Sequence, residues 1–238
     1  MNARLRTVVF ACNFPHWKTQ EGIINLCINN LAPDLVIAQN FRDLRLTKSN
    51  IRVSPRSEGL ANPSAIAAYF AIAFLVADHD SEEAGARLRE LKPDLGIILG
   101  ARILKPATIE HFRIGILNLH PGLIPENRGL DNLKWAIIDM VKQGVTSHLI
   151  DHRIDRGLIA DRQSIKVYED DTLIDIALRL REREQLMMLE TLQRIRDGSV
   201  RYVRAGTGRY HRSMPPEIEA RLIETYAEYK LKYDCLPG

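Results

Sequence analysis

The chain has 238 residues, 45% hydrophobic and 26% charged, with 33 basic against 30 acidic side chains and a formal net charge of +3. That is ordinary for a soluble globular protein of one large α/β domain, or one domain with a small appendage. The charge balance gives no case for nucleic acid, no apolar run reaches the length of a membrane span, and Cys12, Cys27 and Cys235 show no CxxC or Cys/His spacing for zinc or a disulfide framework.

The N-terminus superficially resembles a secretion signal. The run Val8 to Cys12 is too short for one, and Asn13, Pro15, His16 and Lys18 follow at once. A buried first strand over Thr7 to Cys12 is expected instead, in a cytoplasmic protein with reduced thiols. Apolar residues at Ile23, Ile24, Leu26, Cys27 and Leu31 predict a helix over Gln20 to Leu31. Ala32-Pro33-Asp34 breaks it, and Leu35 to Ala38 follows as a strand, which completes a βαβ unit. Asn40 to Asn62 is polar and reads as loop, a plausible acceptor-side segment. A helix over Ala65 to Ala73 and a short strand over Phe74 to Ala77 are expected next. Ser81 caps an amphipathic helix to Leu91, with Glu82 and Glu83 favourable in its first turn.

Leu95 to Leu99 is another apolar strand. Lys105-Pro106 opens a short helix, Ala107 to Phe112. Gly115 to Leu119 is a strand that runs into His120-Pro121-Gly122. Helix over Leu133 to Met140, strands over Gly144 to Ile150 and Ile159 to Val167, and a long helix over Asp171 to Arg196 complete the alternating pattern. From Ser199 the character changes: a strand at Val200 to Val203, a turn at Gly206-Thr207-Gly208, a breaker at Pro215-Pro216 and a terminal helix over Glu217 to Tyr233. The division expected is residues 1–198 as a catalytic domain and 199–238 as a short hairpin and helix extension. Strands alternating with helices predict an open, mostly parallel twisted sheet flanked by helices, a Rossmann-like α/β fold. Ligands of such sheets bind beyond the carboxyl ends of the strands.

Asn118 and His120 fall at such an end. Two residues apart on a strand, they point the same way, and a carboxamide beside an imidazole can hold a carbonyl oxygen and move a proton. The alternative is a pair that satisfies backbone groups in the turn. Asp155-Arg156-Gly157 reads as a tight loop that displays Asp155, either as an ordinary turn aspartate or as a carboxylate acting on His120. His148 lies on a strand among apolar neighbours and reads equally as a core histidine.

Taken in order, NLHPGLIPENRG, WAI, GVTSHLID and IDRGLIA resemble the 10-formyltetrahydrofolate-dependent formyltransferase family. That family includes glycinamide ribonucleotide, methionyl-tRNA and sugar-nucleotide N-formyltransferases. The upstream LGARILKPATIE is similar to its folate-side loop. The resemblance implies that the co-substrate is 10-formyltetrahydrofolate and the acceptor a primary amine. It implies catalytic roles for Asn118, His120 and Asp155. Asn118 would bind the formyl oxygen, His120 would stabilise the tetrahedral intermediate and carry a proton, and Asp155 would orient His120. It also implies that Arg102, Ile103 and Leu104 meet the pterin, that Asp151, His152 and Ile154 line the opposite wall, and that His148 stands near the trio. No metal is called for.

The first strand leads into Asn13-Phe14-Pro15-His16-Trp17 rather than a glycine-rich phosphate turn. That counts against a ribonucleotide phosphate there and against a nicotinamide dinucleotide. About forty residues after the long helix are too few for the C-terminal barrel of a methionyl-tRNA formyltransferase. Arg201, Arg204, Arg209, His211 and Arg212, interleaved with Tyr202 and Tyr210, could meet RNA, but a solvated hairpin is the favoured reading. The expected acceptor is therefore a small molecule, an amino sugar nucleotide, with Arg128 either on its phosphate or structural. A methionyl-tRNA-type enzyme, a formyltetrahydrofolate hydrolase and a non-catalytic folate- or nucleotide-binding module are the alternatives. A homodimer is left open.

Overall fold

The computed structural model describes residues 4–43, 49–101, 103–151 and 157–233. The first strand, β1, spans Thr7–Cys12, and Val8 to Ala11 are wholly buried. Helix α1 (Trp17–Ile28) starts three residues before the apolar pattern does, because the His16 ring caps it, Nδ1 accepting from the backbone N–H of Thr19. Strand β2 (Leu35–Gln39) follows. Among the described residues of 40–62 there is neither helix nor strand. Helix α2 (Pro63–Tyr69) has Asn62 as its cap and proline at its first turn. It ends four residues short of the expectation because Ala71 adopts φ +53°, and Ala73 already belongs to β3 (Ala73–Val76). Next come α3 (Glu82–Leu91), capped by Ser81, then β4 (Leu95–Ile98), α4 (Pro106–Ile109) and β5 (Gly115–His120).

The second half holds a two-residue strand β6 (Arg128–Gly129), α5 (Asn132–Ile138), β7 (Gly144–Leu149), β8 (Leu158–Ser164) and the long α6 (Leu173–Arg196). A capping box, Thr172 with Asp175, starts α6. After it come β9 (Val203–Arg204), β10 (Tyr210–His211), α7 (Pro216–Glu219) and α8 (Leu222–Tyr233). The expected terminal helix is thus two helices, and the expected strand at Val200 to Val203 is shifted to Val203–Arg204.

One eight-stranded sheet runs β3-β2-β1-β4-β5-β7-β8-β9. The pairings from β3 through β5 are parallel, and those from β5 to β9 are antiparallel. The chain lays β2 and β3 on one side of β1 and β4 and β5 on the other, so the crevice where the order reverses opens at the carboxyl ends of β1 and β4. Alternate residues of β1 feed two apolar layers. Val9 and Ala11 face a core shared with α1 and α6, and Val8 and Phe10 face one shared with α3. Tyr229 of α8 is fully buried and donates its hydroxyl to the Val141 carbonyl, so the C-terminal helix packs as part of the main body.

A buried ion pair ties the C-terminal segment to the centre. Lys134 of α5 and Glu219 of α7 are each 2% exposed, with Nζ 2.5 Å from Oε1. The carboxylate also accepts from the Ser49 hydroxyl at 2.6 Å and the Asn50 N–H at 2.6 Å. Burial alone would push this carboxyl up; the hydrogen bonds and the Lys134 charge outweigh it and hold the pKa at about 2. Lys134→Met leaves that carboxylate buried without its cation. A loss of about 3–5 kcal/mol is expected, read as a lower urea midpoint. Because the folded-state pKa lies below the unfolded value, the stabilisation is whole above pH about 4.5 and drains as pH falls toward about 2. The gap in urea midpoint between wild type and Glu219→Gln should shrink across that window; a constant gap would refute the assignment.

Candidate active site

Strand β5 is an apolar run whose last residues turn polar at the rim of the sheet. Asn118 is half-buried and His120 is 4% exposed. The antiparallel register places His148 of β7 opposite Asn118 and Thr146 opposite His120, so four polar side chains share one face. Asn118 Nδ2 lies 3.2 Å from His148 Nε2. The amide therefore donates to that nitrogen and keeps its second N–H for an oxygen in the crevice. The His120 and His148 rings are 6.5 Å apart and nearly perpendicular, at 81°.

His120 is caged from the loop that follows it. Its Nε2 is 2.8 Å from the Asn127 carbonyl oxygen, which can only accept. A proton on Nε2 makes that contact a hydrogen bond from ring to carbonyl. The Asn132 amide also approaches Nε2, at 3.2 Å, with the Asn127 side-chain oxygen at 3.3 Å as its alternative acceptor. Thr146 fixes the turn by donating to the Gly122 carbonyl at 2.7 Å and accepting from the Ile124 N–H at 3.0 Å. Gly122 is required by space: a Cβ there would lie 2.5 Å from the Asn127 oxygen and 2.8 Å from His120 Nε2.

The opposite side of the crevice comes from β1. Lys18 donates to the Leu119 carbonyl at 2.8 Å and pairs with the buried Glu184 of α6 at 2.6 Å. One cation thereby joins α1, β5 and α6. Beside it, burial and the Lys18 charge hold the His16 imidazole below its usual range. Gly100, just past β4, lets two chains approach closely, since a Cβ there would meet Cys12 Sγ at 2.6 Å.

The structure brings together Asn118, His120 and His148. Asp151 leaves β7 close behind them, half-buried. Ile103 is 71% exposed, whereas Leu104 is 3% exposed and packed in the core with Phe112 and Ile116. Arg128 is 4% exposed and donates to the Gly208 carbonyl of the C-terminal segment at 2.6 Å. Asp155, Arg102, His152 and Ile154 lie outside the described residues. Sequence reasoning passed over Lys18, Asn127, Thr146 and Asn132. Only the polar run straight after an apolar β1 hints at Lys18; the others have no signal without the fold. Among the described residues, no group of three or more His, Cys, Asp or Glu side chains is placed to hold a metal ion, and no helix is long and apolar enough to cross a membrane.

Residues 52–192 match the formyl transferase family model. A methionyl-tRNA formyltransferase from Chlorobium limicola is 32% identical over 124 residues, which are 52% of this chain and 39% of that protein. The chain thus spans well under half the length of that relative. Among solved structures, phosphoribosylglycinamide formyltransferase from Anaplasma phagocytophilum superposes with a TM-score of 0.64 at 20% identity, covering 88% of this chain and all of that one. A formyltransferase from Anoxybacillus kamchatkensis, solved with UDP-4,6-dideoxy-4-formamido-L-AltNAc and tetrahydrofolate, superposes with a TM-score of 0.55 at 20% identity, covering 86% of this chain and 85% of that one. These structural likenesses share the mostly parallel, helix-flanked architecture. With a family match that takes in more than half its residues, the chain belongs to the formyl transferase family.

Proposed function

We propose that the protein transfers the formyl group of 10-formyltetrahydrofolate to a primary amine, and that the acceptor is a small molecule, an amino sugar linked to a nucleotide. The observation that carries the transfer reading is the meeting of Asn118, His120 and His148 at the carboxyl end of β5, in a chain of this family. The residues present fit the co-substrate. The exposed Ile103 side chain offers an apolar wall to a pterin, and the second N–H of Asn118 suits a formyl oxygen. The acceptor reading draws on the Anoxybacillus enzyme, whose bound nucleotide sugar carries a formamido group.

The residues divide the work by their proton inventories. Asn118 donates to the formyl oxygen as it gains negative charge, and its partner His148 keeps the amide aimed. The His120 imidazole takes a proton from the attacking amine, and the folate nitrogen regains one as its bond to the formyl carbon breaks. In this proposal Asp155 steadies the imidazolium so formed. The same proposal gives the folate side to Asp151, His152, Ile154, Arg102 and the backbone at Leu104. Bonds and charges balance without a redox partner: one C–N bond forms, one breaks, and a proton moves from amine to folate nitrogen.

The methionyl-tRNA reading is kept because relatives such as the Chlorobium limicola protein bear that name. A panel of nucleotide-linked amino sugars, glycinamide ribonucleotide and methionyl-tRNA, each supplied with 10-formyltetrahydrofolate, separates the acceptors. Formyl product on an amino sugar nucleotide alone is expected. Formate release at the same rate with no amine would replace transfer by hydrolysis.

Asn118→Ala removes one preorganised donor and should lower kcat by about 100-fold to 1,000-fold. His120→Ala should cost about as much, while tetrahydrofolate binding, read by calorimetry, stays within a few-fold. Asp155→Asn keeps the shape and removes the charge; a fall in kcat of about ten-fold or more is expected. Full rates in all three variants would remove the trio from the mechanism.

A further inference from the structure

Strand β5 runs on through Asn118, Leu119 and His120 after its last pairing with β4, which joins Leu117 to Ile97. The Ile150 N–H donates to the Ile116 carbonyl at 2.9 Å. Backbone groups alternate in direction along a strand, so Ile116, Asn118 and His120 turn theirs to β7, and Leu117 and Leu119 turn theirs to β4. At Leu119, however, the β4 register has already ended. Leu99 is engaged elsewhere: its N–H donates to the Phe10 carbonyl at 2.9 Å, and its carbonyl accepts from the Thr19 hydroxyl at 2.9 Å. Where the crevice opens, β5 therefore presents a backbone carbonyl that the sheet does not serve.

Lys18 serves it. From the first turn of α1, its Nζ reaches the Leu119 carbonyl at 2.8 Å. The next residue, Thr19, closes the Leu99 carbonyl, so one helical turn supplies the donors that β4 and β5 lack where they part. The ammonium is itself held by Glu184 of α6, at 2.6 Å and 4% exposed. Among the described residues Glu184 has no other partner, so that buried carboxylate has Lys18 as its single task. The Leu119 carbonyl and the His120 N–H belong to one planar peptide unit. A bond fixed on that carbonyl sets the plane, and the plane sets how Asn118 and His120 project to either side of it. Because Glu184 matches the charge, the contact supplies direction and little net field.

We propose that Lys18 is a positioning residue for the transfer, its ammonium standing in for the strand partner that β5 lacks at Leu119 and so keeping Asn118 and His120 aimed into the open crevice. Glu184 acts through Lys18 by fixing where the ammonium sits. Two other roles for such a lysine make different demands. A cation that draws in an anionic folate would act on KM. A pair that merely holds α1 to α6 would act on stability, and activity would return once stability did. Positioning acts on kcat, since a displacement of about 1 Å at reacting groups can cost about a hundred-fold. The kinetic part of this inference rests on the proposed formyl transfer; the part that concerns the Leu119 peptide does not.

The sequence Leu-His occurs once in the chain, at Leu119-His120. Protein labelled with carbon-13 at leucine carbonyls and nitrogen-15 at histidine therefore gives one coupled signal, from this peptide alone. In Lys18→Met the carbonyl carbon should move to lower frequency as it loses an ammonium donor. In the same variant kcat should fall by about ten-fold to a hundred-fold, with KM for folate and for acceptor within about two-fold. Lys18→Met/Glu184→Met exchanges the whole pair for apolar side chains, which should return the urea midpoint toward wild type. The labelled signal and kcat of this double variant should stay where Lys18→Met left them, because Leu119 still lacks its donor. An unmoved signal in either folded variant overturns the proposal, as does a kcat that recovers with the midpoint, or a loss confined to KM. If no amine is ever formylated, the transfer reading fails, and the labelled peptide alone decides whether Lys18 holds Leu119.

Discussion

Strand β5 is the constraint on which the site depends. It is the last parallel strand of the sheet and the first with an antiparallel neighbour. Parallel pairing with β4 brings its carboxyl end to the rim where ligands of α/β sheets bind. Antiparallel pairing with β7 returns the chain along it at once, so that His148 stands across from Asn118. A slip of one residue in that register would turn every polar side chain of β7 to the other face. The buried neighbours Leu117, Leu119, Val145 and Leu149 make such a slip costly. The same alternation that fills the core therefore aims the catalytic candidates.

Two charge pairs carry this strand system into the rest of the molecule. Lys18 and Glu184 join α1 to β5 and α6, while Lys134 and Glu219 join α5 to α7. Buried pairs gain little net stability over well-packed apolar residues, because desolvation offsets most of the attraction. What they supply is intolerance of misplacement: either partner alone in the interior is expensive. Lys18 illustrates this, since its ammonium also satisfies the Leu119 carbonyl, between the two β5 residues that face the crevice. Removing it would expose a backbone acceptor and a carboxylate together.

Much of this was legible in the sequence. The runs that form β1, β2, β4 and β5 are short, apolar and bounded by breakers, and their chemistry leaves few alternatives. Ser81 and Thr172 announce α3 and α6 through side chains that satisfy first-turn N–H groups. Asn118 and His120 were legible as a pair because strand geometry puts alternate residues on one face. The pairing of β6 with β10 was not, since two residues on each side carry no periodicity and lie some eighty positions apart. Nor was the break between α7 and α8, or the early end of α2 before Ala71, where a non-glycine residue takes a left-handed conformation. The Asn127 carbonyl is the extreme case: every residue except proline has the same backbone groups, so nothing in the sequence marks the one oxygen that faces an imidazole.

That oxygen belongs to a loop that the residues after α6 help to hold. A side chain that met the ring nitrogen in its place could rotate away. A backbone carbonyl cannot rotate independently, but it moves with its loop, and loops are the softest part of a fold. The loop from Pro121 to Asp131 is stapled at each end: by Thr146 from the sheet, and by the strand-like contact with Tyr210 and His211. The sheet supplies direction and the C-terminal segment supplies stiffness. Together they hold a carbonyl 2.8 Å from a ring nitrogen, with the Asn132 amide beside both.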